Sequence, residues 1–227
     1  MIYHSLMTKQ LRKAIEILCQ NLKPMTVLEI GSRQAKNQRR MADLRSLFPA
    51  AKYLGTDMID GPGVDQVADA EKLPFADGSF DLVLCLETFE HARKPWLVAA
   101  EIERVVSDKG VIIVSSQQNF PLHKHPSDYF RYTPYGLASL FDHFKSKLVF
   151  TISPPFEDEV KANPQHVVLV ASKRDNKKLM AAVKQDLIKN KSAISVHKPY
   201  RHRLFDLLKF FKRGLAEIQY RQEIEFF

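Results

Sequence analysis

Val27-Leu28-Glu29-Ile30-Gly31, then Tyr53-Leu54-Gly55-Thr56-Asp57, then Ser79-Phe80-Asp81-Leu82-Val83-Leu84 are the stretches whose reading decides the fold. The first two are short apolar runs that close on an acid, Gly31 and Asp57 standing 26 positions apart. Between the second and third lies Ala68-Asp69-Ala70-Glu71-Lys72-Leu73-Pro74-Phe75, with another acid after a short β-rich run at Val64–Ala68. In an open parallel sheet, ligands bind outside the carboxyl ends of the strands. The spacing therefore lines acids along one edge, where the hydroxyls and amine of an adenosine find acceptors.

Working outward, apolar residues at helical spacing (Leu11, Ala14, Ile15, Leu18, Leu22) predict a helix over 9–22, stopped by Pro24. Thr26–Ile30 is the first strand, 37–47 a helix ended by Pro49, and Lys52–Asp57 the second strand. Gly61-Pro62-Gly63 and Asp77-Gly78 are turns by composition. Phe80–Leu86 is almost unbroken apolar sequence, as in a central parallel strand covered on both faces. Pro95 opens a helix carrying Trp96, Leu97, Ala100, Ile102 and Val105, which Lys109-Gly110 ends before the strand Val111–Val114. A helix over Tyr135–Phe144 and strands at Leu148–Ile152 and His166–Ala171 complete the pattern. Strands alternating with helices give a doubly wound, Rossmann-like α/β/α sandwich of three layers.

The chain has 227 residues, enough for one sizeable core. Its net charge of +8 is unevenly placed. Residues 1–172 hold 20 basic against 20 acidic side chains, whereas 173–227 hold 14 against 6, so the whole excess sits in the second stretch. This divides the chain into a neutral domain, 1–172, and a basic helical extension, 173–227. Within the extension, Leu204, Leu207, Leu208, Phe211, Leu215 and Ile218 recur at helical spacing after Pro199, among Arg201, Arg203, Lys209, Lys212 and Arg213. A basic amphipathic helix of this kind packs on its own domain or on a second subunit as a homodimer, or docks peripherally on a membrane surface. No apolar run reaches the ~18 residues of a membrane span, and the N-terminus lacks the pattern of a signal peptide. Cys19 and Cys85 sit in apolar patterns and read as buried thiols of a reducing compartment. The expected location is the cytoplasm, with membrane-peripheral contact through the tail as the variant.

Taken together, residues 24–172 resemble the class I methyltransferases that use S-adenosylmethionine, and within them the broad type 11 group. The segments that carry the resemblance are Val27–Gly31, Gly55-Thr56-Asp57, Asp69–Asp81 and Glu87-Thr88-Phe89-Glu90-His91; His125–Pro134 is similar to a block of one branch. The resemblance implies a sheet of seven strands with the last antiparallel, and S-adenosylmethionine as cofactor. Cofactor-binding residues implied on the matching positions are Glu29, Gly31, Arg33, Asp57, Met58, Asp69, Ala70 and Leu86. Asp57 would accept from both ribose hydroxyls, the alternative being a turn or cap aspartate. Asp69, with the Ala70 backbone, would take the adenine amine, and Met58 would pack on the ring. Glu29 would face the cationic end of the cofactor. One departure stands out: the group's glycine-rich first loop is reduced here to Glu29-Ile30-Gly31-Ser32-Arg33-Gln34-Ala35, with only Gly31 kept. Arg33 would pair with the cofactor carboxylate or project to solvent.

For catalysis the candidates are Glu87, closing the fourth strand, and His91, expected at the start of the next helix as base, ribose ligand or cap. His123, His125, Asp128, Tyr129 and Arg131 follow the fifth strand, on the acceptor side in this fold, and are the candidate substrate-binding residues. The His123-x-His125 pair invites a metal reading, but no further ligand stands at a fitting spacing, so no metal is expected. The expected activity is methyl transfer to a small-molecule or glycan-type acceptor by in-line displacement. The alternative is a catalytically inactive protein of the same fold whose basic tail contacts an acidic partner or membrane. A nucleic-acid methyltransferase whose tail binds phosphates is a less expected reading, since the absence of an Asn-Pro-Pro-Tyr-like motif argues against base amines in DNA. A nicotinamide-dependent oxidoreductase would need a Gly-x-Gly-x-x-Gly after the first strand, and only its first glycine is there.

Overall fold

The computed structural model describes residues 7–35, 39–123, 127–152, 165–194 and 224–226. Its strands are β1 (Thr26–Ile30), β2 (Lys52–Asp57), β3 (Gln66–Val67), β4 (Phe80–Leu86), β5 (Val106–Gln117), β6 (Ser146–Ile152), β7 (His166–Ser172) and β8 (Ile224–Phe226). They form one sheet in the order β3-β2-β1-β4-β5-β7-β6-β8. The β3-β2-β1-β4-β5 half is parallel, and β7 inserts antiparallel between β5 and β6. Seven strands thus make the expected mixed sheet, and β8 adds a short antiparallel edge on β6.

Helices α1 (Lys9–Gln20), α2 (Arg39–Ala42), α3 (Pro95–Val105), α4 (Pro134–Ser139), α5 (Lys177–Lys189) and α6 (Lys191–Ile194) flank the sheet. The alternation of strand side chains divides the interior into two layers. Val27, Leu82, Leu84, Leu86, Ile113, Phe150 and Val168 point into one core, filled by Leu11, Ile15 and Leu18 of α1 and by Met180, Val183 and Leu187 of α5. Leu28, Val83, Cys85, Ile112, Val114 and Leu169 point into the other, against Val98, Ala99 and Ile102 of α3 and Leu137 of α4. Both faces of the central strands are covered, which explains their nearly unbroken apolar sequence. Among the described residues no helix is long and apolar enough to cross a membrane.

Several boundaries differ from those the sequence predicts. Among the described residues the helix expected over 37–47 ends at Ala42, because the Asp43 carboxylate accepts the Arg45 N–H (3.0 Å) and diverts the chain into a single 3-10 turn. β3 is shorter than Val64–Ala68, since the Asp65 side chain takes the Gly55 N–H (2.7 Å) in place of a ladder bond. α3 stops at Val105 rather than at Lys109-Gly110, and its buried face is Pro95, Val98, Ala99, Ile102 and Val105, leaving Trp96 57% exposed. β5 begins at once, and Ser107–Gly110 bulge out between the Phe80–Val106 and Leu82–Val111 pairs. α4 ends at Ser139, where Leu140 and Phe141 bond back three residues and Phe141 turns into the core. The amphipathic helix expected after Pro199, carried by Leu204 to Ile218, lies outside the described residues; β8 comes after it in the chain.

Candidate active site

Parallel pairing brings the carboxyl ends of β1, β2 and β4 side by side, with Ile30 opposite both Thr56 and Cys85. The loop leaving β1 is pinned at once: the Gly31 and Ser32 amides both donate to the Thr56 carbonyl (2.8 and 2.9 Å). Gly31 has φ +80°, and a Cβ there would meet Thr88 Oγ1 at 2.1 Å. Two further glycines allow close approach: a Cβ on Gly55 would stand 2.3 Å from the Gly63 carbonyl, and one on Gly63 would stand 2.5 Å from the Ser32 carbonyl. Gly55 and Gly63 thus pack directly on the first loop.

Asp57, at the end of β2, is half-buried, and its carboxylate accepts the amides of Arg33 (3.3 Å) and Ile59 (3.0 Å). A carboxylate has about four lone-pair positions, so capacity for further donors remains. Arg33 is exposed and its guanidinium lies over Gly61, where a Cβ would meet Nε at 3.0 Å. Met58 is 57% exposed beside Asp57. Asp69 is exposed and accepts the Glu71 N–H (2.8 Å), a turn that presents Ala70 against the α3 layer. Glu29 is buried and accepts from the Tyr53 hydroxyl (2.7 Å). Burial pushes its carboxyl up to about 7, against the pull of the Tyr53 bond and of Arg45. A shallow cavity of about 450 Å³, lined by Gln34, Arg39, Arg40, Asp43 and Arg45 among others, has none of these candidate residues in its wall.

Beyond β4 the chain is strained and polar. Glu87 has φ +50°, the one non-glycine residue with positive φ among those described. Its carboxylate accepts from Ser115 Oγ (2.8 Å) and from His166 Nδ1 (3.1 Å). The far nitrogen of His166 meets the Thr8 hydroxyl (3.3 Å), which also caps α1. Burial raises the Glu87 carboxyl, but His166 facing it and the hydrogen bonds from His166, Ser115 and Gln117 outweigh that, leaving it below its ordinary value. Glu90, fully buried, accepts from Ser116 Oγ (2.7 Å), and burial together with the Glu87 charge raises its carboxyl. Leu86 is buried in the α1 layer.

His91 falls in a 3-10 turn, Phe89–His91, not in a helix. Its Nδ1 meets the Ser127 carbonyl (2.5 Å), and its ring packs edge-on against His123 with centroids 4.8 Å apart. His123 is buried, with Nδ1 3.0 Å from Asp128 Oδ2. Asp128 is gripped in turn by Arg131 Nη1 and Nη2. Although burial works against ionisation, the Arg131 bond and the His123 amide hold its carboxyl near about 2. Arg131 also donates to the Phe120 and Pro121 carbonyls, so it ties the loop after β5 together. Tyr129 is 50% exposed, and its amide anchors that loop to the Glu90 carbonyl (2.7 Å). His125 lies outside the described residues. Sequence reasoning missed Glu90, Ser116 and His166. An acid directly before His91 was a visible signal for the first, whereas nothing local marked the others.

Residues 13–114 match the family model of a methyltransferase domain, type 11. The chain is similar to a malonyl-[acyl-carrier protein] O-methyltransferase of Geobacter sulfurreducens, 27% identical over 123 residues, which are 48% of this chain and 45% of that one. It is also similar to an uncharacterized methyltransferase of Mycobacterium marinum, 40% identical over 55 residues, 24% of this chain and 22% of that one. The chain therefore spans less than half the length of these relatives. A solved SAM-dependent methyltransferase of Thermotoga maritima, described as a possible histamine N-methyltransferase, superposes with TM-score 0.53 at 18% identity, covering 73% of this chain and 89% of that one. The 1,6-didemethyltoxoflavin-N1-methyltransferase of Burkholderia thailandensis, solved with bound 1,6-didemethyltoxoflavin and S-adenosylhomocysteine, gives 0.50 at 19% identity over 74% of this chain and 79% of that one. At such identities the likeness is one of fold.

Proposed function

We propose that this chain, whose residues 13–114 match a type 11 methyltransferase domain and whose fold is that of S-adenosylmethionine-dependent methyltransferases, methylates a small-molecule or glycan-type acceptor. The observation that carries the reading is the family match, which spans the segments ending in Gly31, Asp57 and Glu87. When bound, S-adenosylmethionine supplies an electrophilic methyl on a sulfonium, already a good leaving group. The residues present fit it. Asp57 has lone pairs left for the ribose hydroxyls after accepting two amides, and the exposed Asp69 turn with Ala70 would receive the adenine amine. Met58 would cover the ring. Gly31, Glu29 and Leu86 would border the methionine half, with Arg33 within reach of its carboxylate by swinging from Gly61.

What remains for the protein is to align a nucleophile with the methyl carbon and to exclude water. Glu87, held in its strained conformation by Ser115 and His166, would orient cofactor or acceptor. The loop of His123, Asp128, Tyr129 and Arg131 would wall the acceptor side, with the exposed Tyr129 as its contact. His91, held by its Nδ1 on the Ser127 carbonyl, would stand beside that loop at the end of β4. The family match and the fold favour this reading over a catalytically inactive protein of the same fold.

Calorimetric titration with S-adenosylhomocysteine tests the binding half. Wild type is expected to bind, and Asp57→Ala to lose on the order of 1–3 kcal/mol, roughly ten- to a hundredfold in affinity. Absence of binding by the wild type would overturn the function, and unchanged affinity in the variant would overturn the ribose role. An acceptor screen read by conversion of cofactor then identifies the substrate.

A further inference from the structure

We propose that Glu90, His91 and His123 form a binding site for a divalent transition metal of the zinc class, between the carboxyl ends of β4 and β5. One ligand atom from each lies within 4.8 Å of the others, and Glu90 Oε1 stands 4.0 Å from His91 Nε2. A tetrahedral ion with bonds of about 2.0–2.1 Å holds its donors about 3.4 Å apart, so the three stand within roughly 1.4 Å of coordinating separation.

Glu90 supplies an independent argument. It is fully buried, one carboxylate oxygen accepts from Ser116, and Oε1 has no hydrogen-bond partner among the described residues. A buried carboxylate oxygen left this way is costly, and a cation relieves the cost. The histidines are also set as metal ligands are. His91 Nδ1 meets the Ser127 carbonyl, and His123 Nδ1 meets the Asp128 carboxylate and the Pro121 carbonyl. Acceptors at Nδ1 fix the proton there and make Nε2 the basic nitrogen in both rings. A carboxylate or carbonyl behind each imidazole is the arrangement that orients histidine toward metals. Arg131 locks Asp128 behind its histidine. Two imidazoles and a carboxylate are a donor set of open zinc sites, whose fourth position takes water or substrate. That position would receive an acceptor through an oxygen, a hydroxyl or phenol, and lower its pKa. This use of the ion rests on the methyltransferase reading above, whereas binding of the ion does not.

The test is metal binding by the full chain after chelator treatment and dialysis. Zn²⁺ is titrated against a chromophoric chelator, and Co²⁺ is followed by its visible absorption. One equivalent of Zn²⁺ should bind, and Co²⁺ should show the ligand-field bands of a nitrogen/oxygen site of low coordination number. Glu90→Gln, which keeps the Ser116 bond, and His123→Ala should each weaken Zn²⁺ binding at least tenfold. Asp128→Asn should weaken it by about tenfold, as when a group orienting a ligand is lost. Lack of stoichiometric binding by the wild type overturns the site, as does unchanged affinity in folded Glu90→Gln; the wild-type Co²⁺ spectrum decides if the variants do not fold. S-adenosylhomocysteine is titrated in parallel. Its binding without metal binding overturns this site alone, and metal binding without it overturns the methyltransferase reading alone.

Discussion

Glu29 is a carboxyl in a place that disfavours charge. It is buried at the end of β1, and burial pushes it up to about 7 from 4.5. The folded state therefore holds the proton more tightly than the unfolded chain. Below about 4.5 both states are protonated and there is no penalty. Between the two values stability falls as pH rises, and above about 7 the full cost is present, on the order of 3 kcal/mol for such a shift. Glu29→Gln keeps an acceptor for the Tyr53 hydroxyl and copies the protonated form. Chemical denaturation should show the variant matching wild type near pH 4 and exceeding it by a few kcal/mol at pH 8. A difference that does not change with pH would mean that Glu29 is not the proton holder. Asp57, by contrast, stands half-buried among amide donors. The two acids look alike in sequence, each closing an apolar run, and only the packing around them separates a proton-holding group from an open acceptor.

At the scale of elements, the strands of the parallel half were legible because β-rich runs covered on both faces leave long apolar stretches bounded by turns. Boundaries set by single side-chain bonds were not, as with Asp43 ending α2 and Asp65 shortening β3. The His166–Glu87 contact was also invisible. It arises because β7 runs antiparallel beside β5, placing the start of β7 opposite Gln117 near the end of β4. The turn after β1 is the element whose geometry is most demanding. Gly31→Ala must adopt φ near +80° and push aside Thr88, whose hydroxyl donates to the Leu86 carbonyl (3.0 Å). Such strain costs on the order of 1–3 kcal/mol. Thermal melts should show that loss. In a Thr88→Ala background the loss should shrink, since the 2.1 Å contact is gone, though it should not vanish, because the backbone conformation stays.

Across the whole molecule, charge and packing divide the chain differently. The basic excess begins at residue 173, yet the core does not stop there. Met180, Val183 and Leu187 of α5 and Ile194 of α6 are 0–7% exposed in the same layer as α1, and Asn21 bonds to Asp186 (2.9 Å) across that seam. The division at 172 was drawn from charge, which reports the solvent face of α5 and is silent about its buried face. Burying each such side chain contributes about 1.5–3 kcal/mol, so four together rival the about 5–15 kcal/mol by which a domain is stable at all. A chain ending after Ser172 is therefore expected to lose cooperative unfolding or to aggregate. One ending after Ile194 should keep a sigmoidal melt followed by circular dichroism, with β8 gone from the edge. If the shorter chain melts cooperatively at the temperature of the longer, α5 is an add-on and the compact unit ends with β7. If Leu187→Ala in the full chain costs about 2–5 kcal/mol, as truncation of a buried leucine does, α5 is part of the core that holds the strand ends in register.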